Sequence, residues 1–144
     1  MLSMISKRKL SIGLIGSGFM GKAHVFGFAT AQKVFNLPLK IHLHTVADIK
    51  QEMADKAALD FGFDYSTSDW HNLIDNPEID IIDITAPNVL HKEMALAAIA
   101  AGKHVYCEKP LAPLAADAFE LAKAAKATGL SLIHISEPTR PSTI

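Results

Sequence analysis

The residues best suited to chemistry lie in four short stretches. The first is Gly16-Ser17-Gly18-Phe19-Met20-Gly21, a GxGxxG pattern directly after a short apolar run and before a helical one. In that setting Gly16 permits a tight turn, Gly18 lets the backbone approach a pyrophosphate without a Cβ clash, and Gly21 allows close helix–strand packing. A helix beginning there offers free N–H groups and partial positive charge to phosphate. The same glycines also fit a purely structural turn or the related loop of a methyltransferase. The second is Asp48, 27 positions after Gly21 at the end of the next apolar run. A carboxylate there accepts hydrogen bonds from both adenosine ribose hydroxyls and repels a 2′-phosphate, which favours NAD over NADP. Lys50 works the other way, since it can pair with a 2′-phosphate; otherwise it is a solvated lysine at a helix start.

The third stretch, Thr85-Ala86-Pro87-Asn88-Val89-Leu90-His91, follows the strongest strand signal in the chain. Asn88 suits a helix cap. His91, taken alone, reads as an ordinary exposed histidine. The fourth is Glu108-Lys109-Pro110, where Pro110 keeps Lys109 out of the helical region, so that the lysine leaves its strand extended. An ammonium group there can hydrogen-bond a substrate oxygen and stabilise charge as hydride departs. With a lowered pKa it can also exchange a proton. Glu108 can contact the nicotinamide ribose or tune the lysine. A Glu-Lys pair on a surface would otherwise contribute little.

These stretches need a scaffold, and the pattern supplies one. Strand-like runs at Leu10–Ile15, Ile41–Ala47, Phe63–Tyr65, Glu78–Ile84 and His104–Cys107 alternate with helical patterns. The helices are expected at Phe19–Lys33, Gln51–Phe61, Trp70–Asp75 (Asp69 capping it), Val89–Ala101 and from Pro113 to Gly129. Pro38 breaks the chain between the first helix and the second strand. Alternation of this kind predicts parallel strands with right-handed crossovers, and apolar strands suit a sheet covered on both faces. The fold expected is a doubly wound α/β domain, a Rossmann fold. With the usual strand order, the glycine loop and the Thr85–His91 loop form two walls of one crevice.

Composition narrows the partners. The chain has 144 residues, enough for one domain, with 49% apolar residues and a net charge of −1. Its densest basic cluster, Lys7-Arg8-Lys9, is short, which argues against nucleic acid. The apolar run after it is too short for a secretory signal or a membrane span. A single cysteine, Cys107, rules out an internal disulfide and a cysteine-based zinc site, and suits a reducing, cytoplasmic compartment; no metal is expected.

Together the four stretches are recognisable. Gly16–Gly21, Asp48, Thr85–His91 and Gly102-Lys-His-Val-Tyr-Cys-Glu-Lys-Pro110 resemble the Gfo/Idh/MocA family, which includes glucose-fructose oxidoreductase and inositol dehydrogenase. The resemblance covers Leu10 to about Leu130. It implies NAD(P)-dependent oxidation of a sugar or polyol hydroxyl, with Glu108 and Lys109 in the active site and Lys109 catalytic. It also implies that Thr85, Pro87, Asn88 and His91 line the cofactor site and that the Lys109–Pro110 bond is cis. The family continues into a larger domain that supplies an aspartate and a histidine and the sheet through which its members associate. That substrate domain is missing here, so a homo-oligomer is expected only of a full-length protein. The competing reading is a stand-alone NAD-binding sensor or interaction module without catalysis. From Leu132 the sequence, with two prolines and no periodicity, resembles read-through of a sequencing adapter. Residues 1–131 are therefore expected to form the NAD(P)-binding domain, and 132–144 a non-native or unstructured tail, or else a natural linker or terminal arm.

Overall fold

A computed structural model describes residues 8–134. Six parallel strands form one sheet: β1 (Arg8–Ile15), β2 (Leu39–Ala47), β3 (Tyr65–Thr67), β4 (Ile81–Ile84), β5 (His104–Cys107) and β6 (Leu132–His134). Their order is β3-β2-β1-β4-β5-β6, the doubly wound arrangement, with the direction of winding reversing between β1 and β4. Helices α1 (Phe19–Val34), α2 (Gln51–Phe61), α3 (His71–Ile74), α4 (His91–Ala100) and α5 (Ala115–Thr128) connect them. A 3₁₀ turn at Asn88–Leu90 leads into α4.

Two cores form because the strands are apolar on both faces. On one face, Ile82, Ile84, Val105 and Cys107 pack with Met94, Ala95, Ala98 and Ile99 of α4 and Leu121 and Ala125 of α5. On the other, Leu14 and Val46 pack with Val25 of α1, Ala57 of α2 and Phe63. Helix ends follow the sequence signals: Gly62, Gly102 and Gly129 take positive φ just beyond α2, α4 and α5, where any other residue would be strained.

The differences from expectation have local causes. Pro77 and Glu78 lie in a turn, where the Glu78 N–H donates to Asn76 Oδ1 at 2.9 Å, and β4 starts only at Ile81. Phe63 is a buried core residue ahead of β3, not part of it, because the chain is still leaving the left-handed Gly62. Asn88 is exposed and caps no helix; it begins the 3₁₀ turn. Asp69 does accept the His71 N–H at 3.0 Å. The tail expectation is corrected at its start: Leu132–His134 pairs with Val105–Cys107 as the sixth strand. Two apolar residues in three suffice for a short edge strand beside an already formed β5. The rest of that stretch, from Ile135 on, lies outside the described residues, as does Lys7 of the basic cluster.

Candidate cofactor cleft and the Glu-Lys-Pro element

At the carboxyl ends of β1 and β4, where winding reverses, lies a cleft of about 650 Å³. Gly16, Ser17 and Gly18 form one wall, Asp48 and Ile49 a flank, and Thr85, Ala86 and Pro87 the opposite wall. The walls are tied together: Thr85 Oγ1 donates to Gly16 O at 2.7 Å, and the Thr85 N–H to Ile15 O at 2.9 Å. The three glycines answer to different constraints. Gly16 has φ +100°, and a Cβ there would sit 2.9 Å from the Thr85 backbone. A Cβ on Gly21 would lie 2.4 Å from Gly16 O, so α1 starts this close to β1 only because the residue is glycine. Around Gly18 there is nothing within 4 Å of a built Cβ. The protein does not need glycine there; the open space is on the cleft.

Gly18 also precedes α1, whose start carries no side-chain cap and no acidic residue in its first turn. Those N–H groups and the helix dipole are left for an anion. Asp48 stands beside them. Its Oδ2 accepts from the Ser17 N–H at 2.9 Å and from the Ser17 hydroxyl, and its Oδ1 accepts the Ile49 N–H at 2.7 Å. A carboxylate offers about four acceptor positions, and the Ser17 hydroxyl can rotate away, so the group keeps capacity for a diol. Ile49, Met53, Trp70, Leu90 and Met94 give the cleft an apolar lining that sequence reasoning did not find. An uncapped helix start, an open glycine and a carboxylate flank beside apolar walls fit a dinucleotide.

Not every residue singled out in the sequence reaches this cleft. Phe19 and Met20, at 84% and 37% exposure, and the exposed Lys50 and Asn88 stand next to or near lining residues without forming part of the lining. His91 is fully buried, contrary to the expectation of an exposed residue. Its Nδ1 lies 2.8 Å from Pro110 O and its Nε2 2.8 Å from Ala86 O, so it bridges the exits of β4 and β5 from behind the wall. Packing of α4 against both strands draws its first residue inward.

Glu108, Lys109 and Pro110 stand one strand further along, at the exit of β5, linked to the cleft wall through His91. The Lys109–Pro110 bond is cis. Lys109 is exposed, whereas Glu108 is buried. Glu108 meets a residue the sequence reading passed over, His24 of α1. His24 Nε2 is 3.0 Å from Glu108 Oε1, and His24 Nδ1 is 2.9 and 3.0 Å from the two oxygens of Asp83. Asp83 is completely buried in β4. Burial opposes a charged imidazole, but the hydrogen bonds and charges of Asp83 and Glu108 outweigh it and raise the His24 pKa above the usual histidine value. Burial likewise raises the Asp83 pKa, against the pull of His24. Both directions say that a proton stays between them. Burial first, then the Asp83 and Glu108 charges, push the Cys107 thiol up to about 12, so it is inert. A sequence signal existed: one aspartate inside Ile-Ile-Asp-Ile demands a buried partner.

Comparison with known proteins decides the lineage. The pattern of the Gfo/Idh/MocA oxidoreductase family, described as an NAD-binding Rossmann fold, matches residues 10–135. The chain belongs to that family and is its NAD-binding domain. Levoglucosan dehydrogenase of Pseudarthrobacter phenanthrenivorans is 49% identical over 109 residues, which is 73% of this chain and 27% of that protein. Inositol 2-dehydrogenase of Pseudomonas fluorescens is 35% identical over 127 residues, covering 88% and 36%. A solved levoglucosan dehydrogenase in complex with NADH and levoglucosan superposes with a TM-score of 0.86 at 42% identity, covering 88% of this chain and 34% of that one. The domain therefore spans about a third of the length of the relatives it matches. Among the described residues no helix is long and apolar enough to cross a membrane, and no cluster of His, Cys, Asp or Glu could hold a metal ion.

Proposed function

We propose that this domain holds NAD in the cleft between β1 and β4 and serves a sugar or polyol dehydrogenase, as its levoglucosan- and inositol-dehydrogenase relatives suggest. The observation that carries the reading is the open space at Gly18, beside an uncapped α1 start and the Asp48 carboxylate. The start of α1 takes the pyrophosphate and Asp48 the adenosine ribose. Bound NAD supplies the hydride acceptor. Lys109 accepts the hydroxyl proton as hydride leaves, and the ammonium so formed donates a hydrogen bond to the new carbonyl oxygen. Glu108 keeps an anionic group beside it. The Asp48 carboxylate beside the start of α1 supports NAD over NADP, since it would repel a 2′-phosphate.

By itself the chain binds NADH and turns over no polyol at a useful rate, because the relatives devote roughly two-thirds of their length to other segments. Trp70, on the cleft and the sole tryptophan, is a built-in fluorescence reporter. Titration should show quenching by NADH and none by S-adenosylmethionine. Gly18→Val should abolish the NADH signal while circular dichroism and Tm stay near those of the parent, since no protein atom opposes the new side chain. Undiminished NADH binding by Gly18→Val would reduce the glycine loop to a turn. Steady oxidation of a polyol by the 144-residue chain would overturn the second half of the reading.

A further inference from the structure

The Asp83–His24–Glu108 bridge is built more tightly than a packing role requires. Three titratable groups from α1, β4 and the exit of β5 meet with side-chain exposures of 4%, 0% and 9% for His24, Asp83 and Glu108. An uncharged imidazole carries only one N–H. With a carboxylate at each ring nitrogen, one contact would set lone pair against lone pair inside the protein. Each of the two contacts therefore holds a proton. The other oxygen of Glu108 accepts the Lys109 N–H at 3.0 Å, so both ends of that carboxylate are fixed. On the far side of Lys109, His91 holds Pro110 O at 2.8 Å. Lys109 is thus strung between two anchored neighbours, one fastened by each histidine. The aromatic ring of Tyr106 on β5, a further titratable group, lies 5.1 Å from the His24 ring.

We propose that His24 is a positioning residue for the Glu108-Lys109 element, bridging Asp83 to Glu108 and so fixing where Glu108 meets the nicotinamide ribose of the bound cofactor, with Lys109 held beside it for the substrate. This rests on the reading of the cleft as the NAD site. It assigns a role to a helix residue that touches neither cofactor nor substrate. It also explains why an aspartate is retained in the middle of an otherwise apolar strand. A hydrophobic triple of the same volume would pack as well and often better.

The test has two arms, both on the 144-residue chain. Long-range ¹H–¹⁵N spectra should show both His24 ring nitrogens protonated at neutral pH. Asp83→Asn keeps the shape but removes one charge, and should lower the pH at which His24 loses its proton by about one unit or more. A His24 ring with one bare nitrogen beside an ionised Asp83 at neutral pH, or an unmoved midpoint in Asp83→Asn, overturns the bridge. The second arm compares NADH with ADP-ribose, which lacks the nicotinamide. His24→Gln should weaken NADH roughly tenfold while leaving ADP-ribose unchanged, an effect on the scale of outer-shell positioning groups. Equal loss of both ligands, or loss of neither, overturns the positioning role. Should His24→Gln fail to fold, Glu108→Gln takes its place with the same expected split. If the parent chain binds neither ligand, the NAD reading of the cleft falls and the positioning role with it, while the spectra alone decide the bridge.

Discussion

The two sides of this site are held in opposite ways. On the glycine-loop side, Asp48 is tied by the Ser17 backbone and hydroxyl and by its own neighbour, Ile49, whose side chain is 85% exposed. These bonds lie at a solvent edge, and a ligand hydroxyl can replace one of them at small cost. On the Glu108 side, His24, Asp83 and His91 are buried, and their bonds join residues 5 to 84 positions apart in sequence. Exchange there would leave buried groups unpaired. The difference suits the two tasks. Binding tolerates a wall that adjusts, whereas proton and hydride movement needs groups held still before the substrate arrives.

The largest expected effect tests the rigid side at its exposed tip. In a full-length enzyme containing this domain, Lys109→Ala should leave NAD affinity nearly intact and cut turnover about a hundredfold to a thousandfold, the cost of losing one preorganised donor. Lys109→Arg should rescue poorly, because a guanidinium exchanges no proton near neutral pH. Affinity and turnover measured on the same preparations separate the readings. Lost NAD binding would move Lys109 to the adjustable side as a cofactor clamp, and unchanged turnover would leave it a surface charge.

A smaller effect is expected on the adjustable side. Asp48→Ala removes ribose hydrogen bonds and relieves repulsion of a 2′-phosphate, so the preference for NADH over NADPH should narrow by about 1–3 kcal/mol, the scale of charge-assisted hydrogen bonds. The fold should survive, since the Gly16 N–H bond to Ala47 O at 2.9 Å, which docks the loop on β2, does not involve the carboxylate. An unchanged ratio of the two affinities would show that Asp48 only orders the glycine loop.

That same division explains what could be read from the sequence. On the adjustable side Gly16, Gly21, Asp48 and the turn at Thr85 each stand at a strand end or in the loop that follows it, although the bonds between them span 31 and 69 positions. Turn geometry and strand period suffice to place them. Strands β1, β2 and β5 and helices α1, α2 and α5 were legible for the same reason. The rigid side is not local. His24 sits on a helix at ordinary spacing, and nothing around it announces two carboxylates 59 and 84 positions away. His91 reads as exposed from its place in the first turn of a helix, and only the packing of α4 against β4 and β5 turns it inward. Strand β6 was hidden because three residues carry no period and their pairing depends on β5 being in place.

The mildest prediction reads the rigid side through stability. The His24 pKa is raised above its ordinary 6.5, so the folded chain holds this proton more tightly than the unfolded one. Its contribution is fully present below pH 6.5 and is lost as pH rises through the folded value. Asp83, raised from 3.8 by burial, has the same sign, since its folded carboxyl resists ionisation and stability falls as pH climbs. The exposed carboxylates Asp55, Asp64 and Asp69 are lowered instead, and act only as pH falls through their folded values, below 3.8. Cys107 enters only near its ordinary value of 9.0 and above. Between pH 6.5 and 8.5 the Asp83–His24 pair therefore adds a slope of this sign. One proton held only in the folded state gives at most about 1.4 kcal/mol per pH unit, or roughly 3–6 °C in Tm. Tm should fall with rising pH in the parent chain, and more gently in His24→Gln, which has no proton to lose. Equal slopes in the parent and in His24→Gln across that interval would mean that the pair is not holding its proton. The rigidity assigned to this side would then have to come from packing alone.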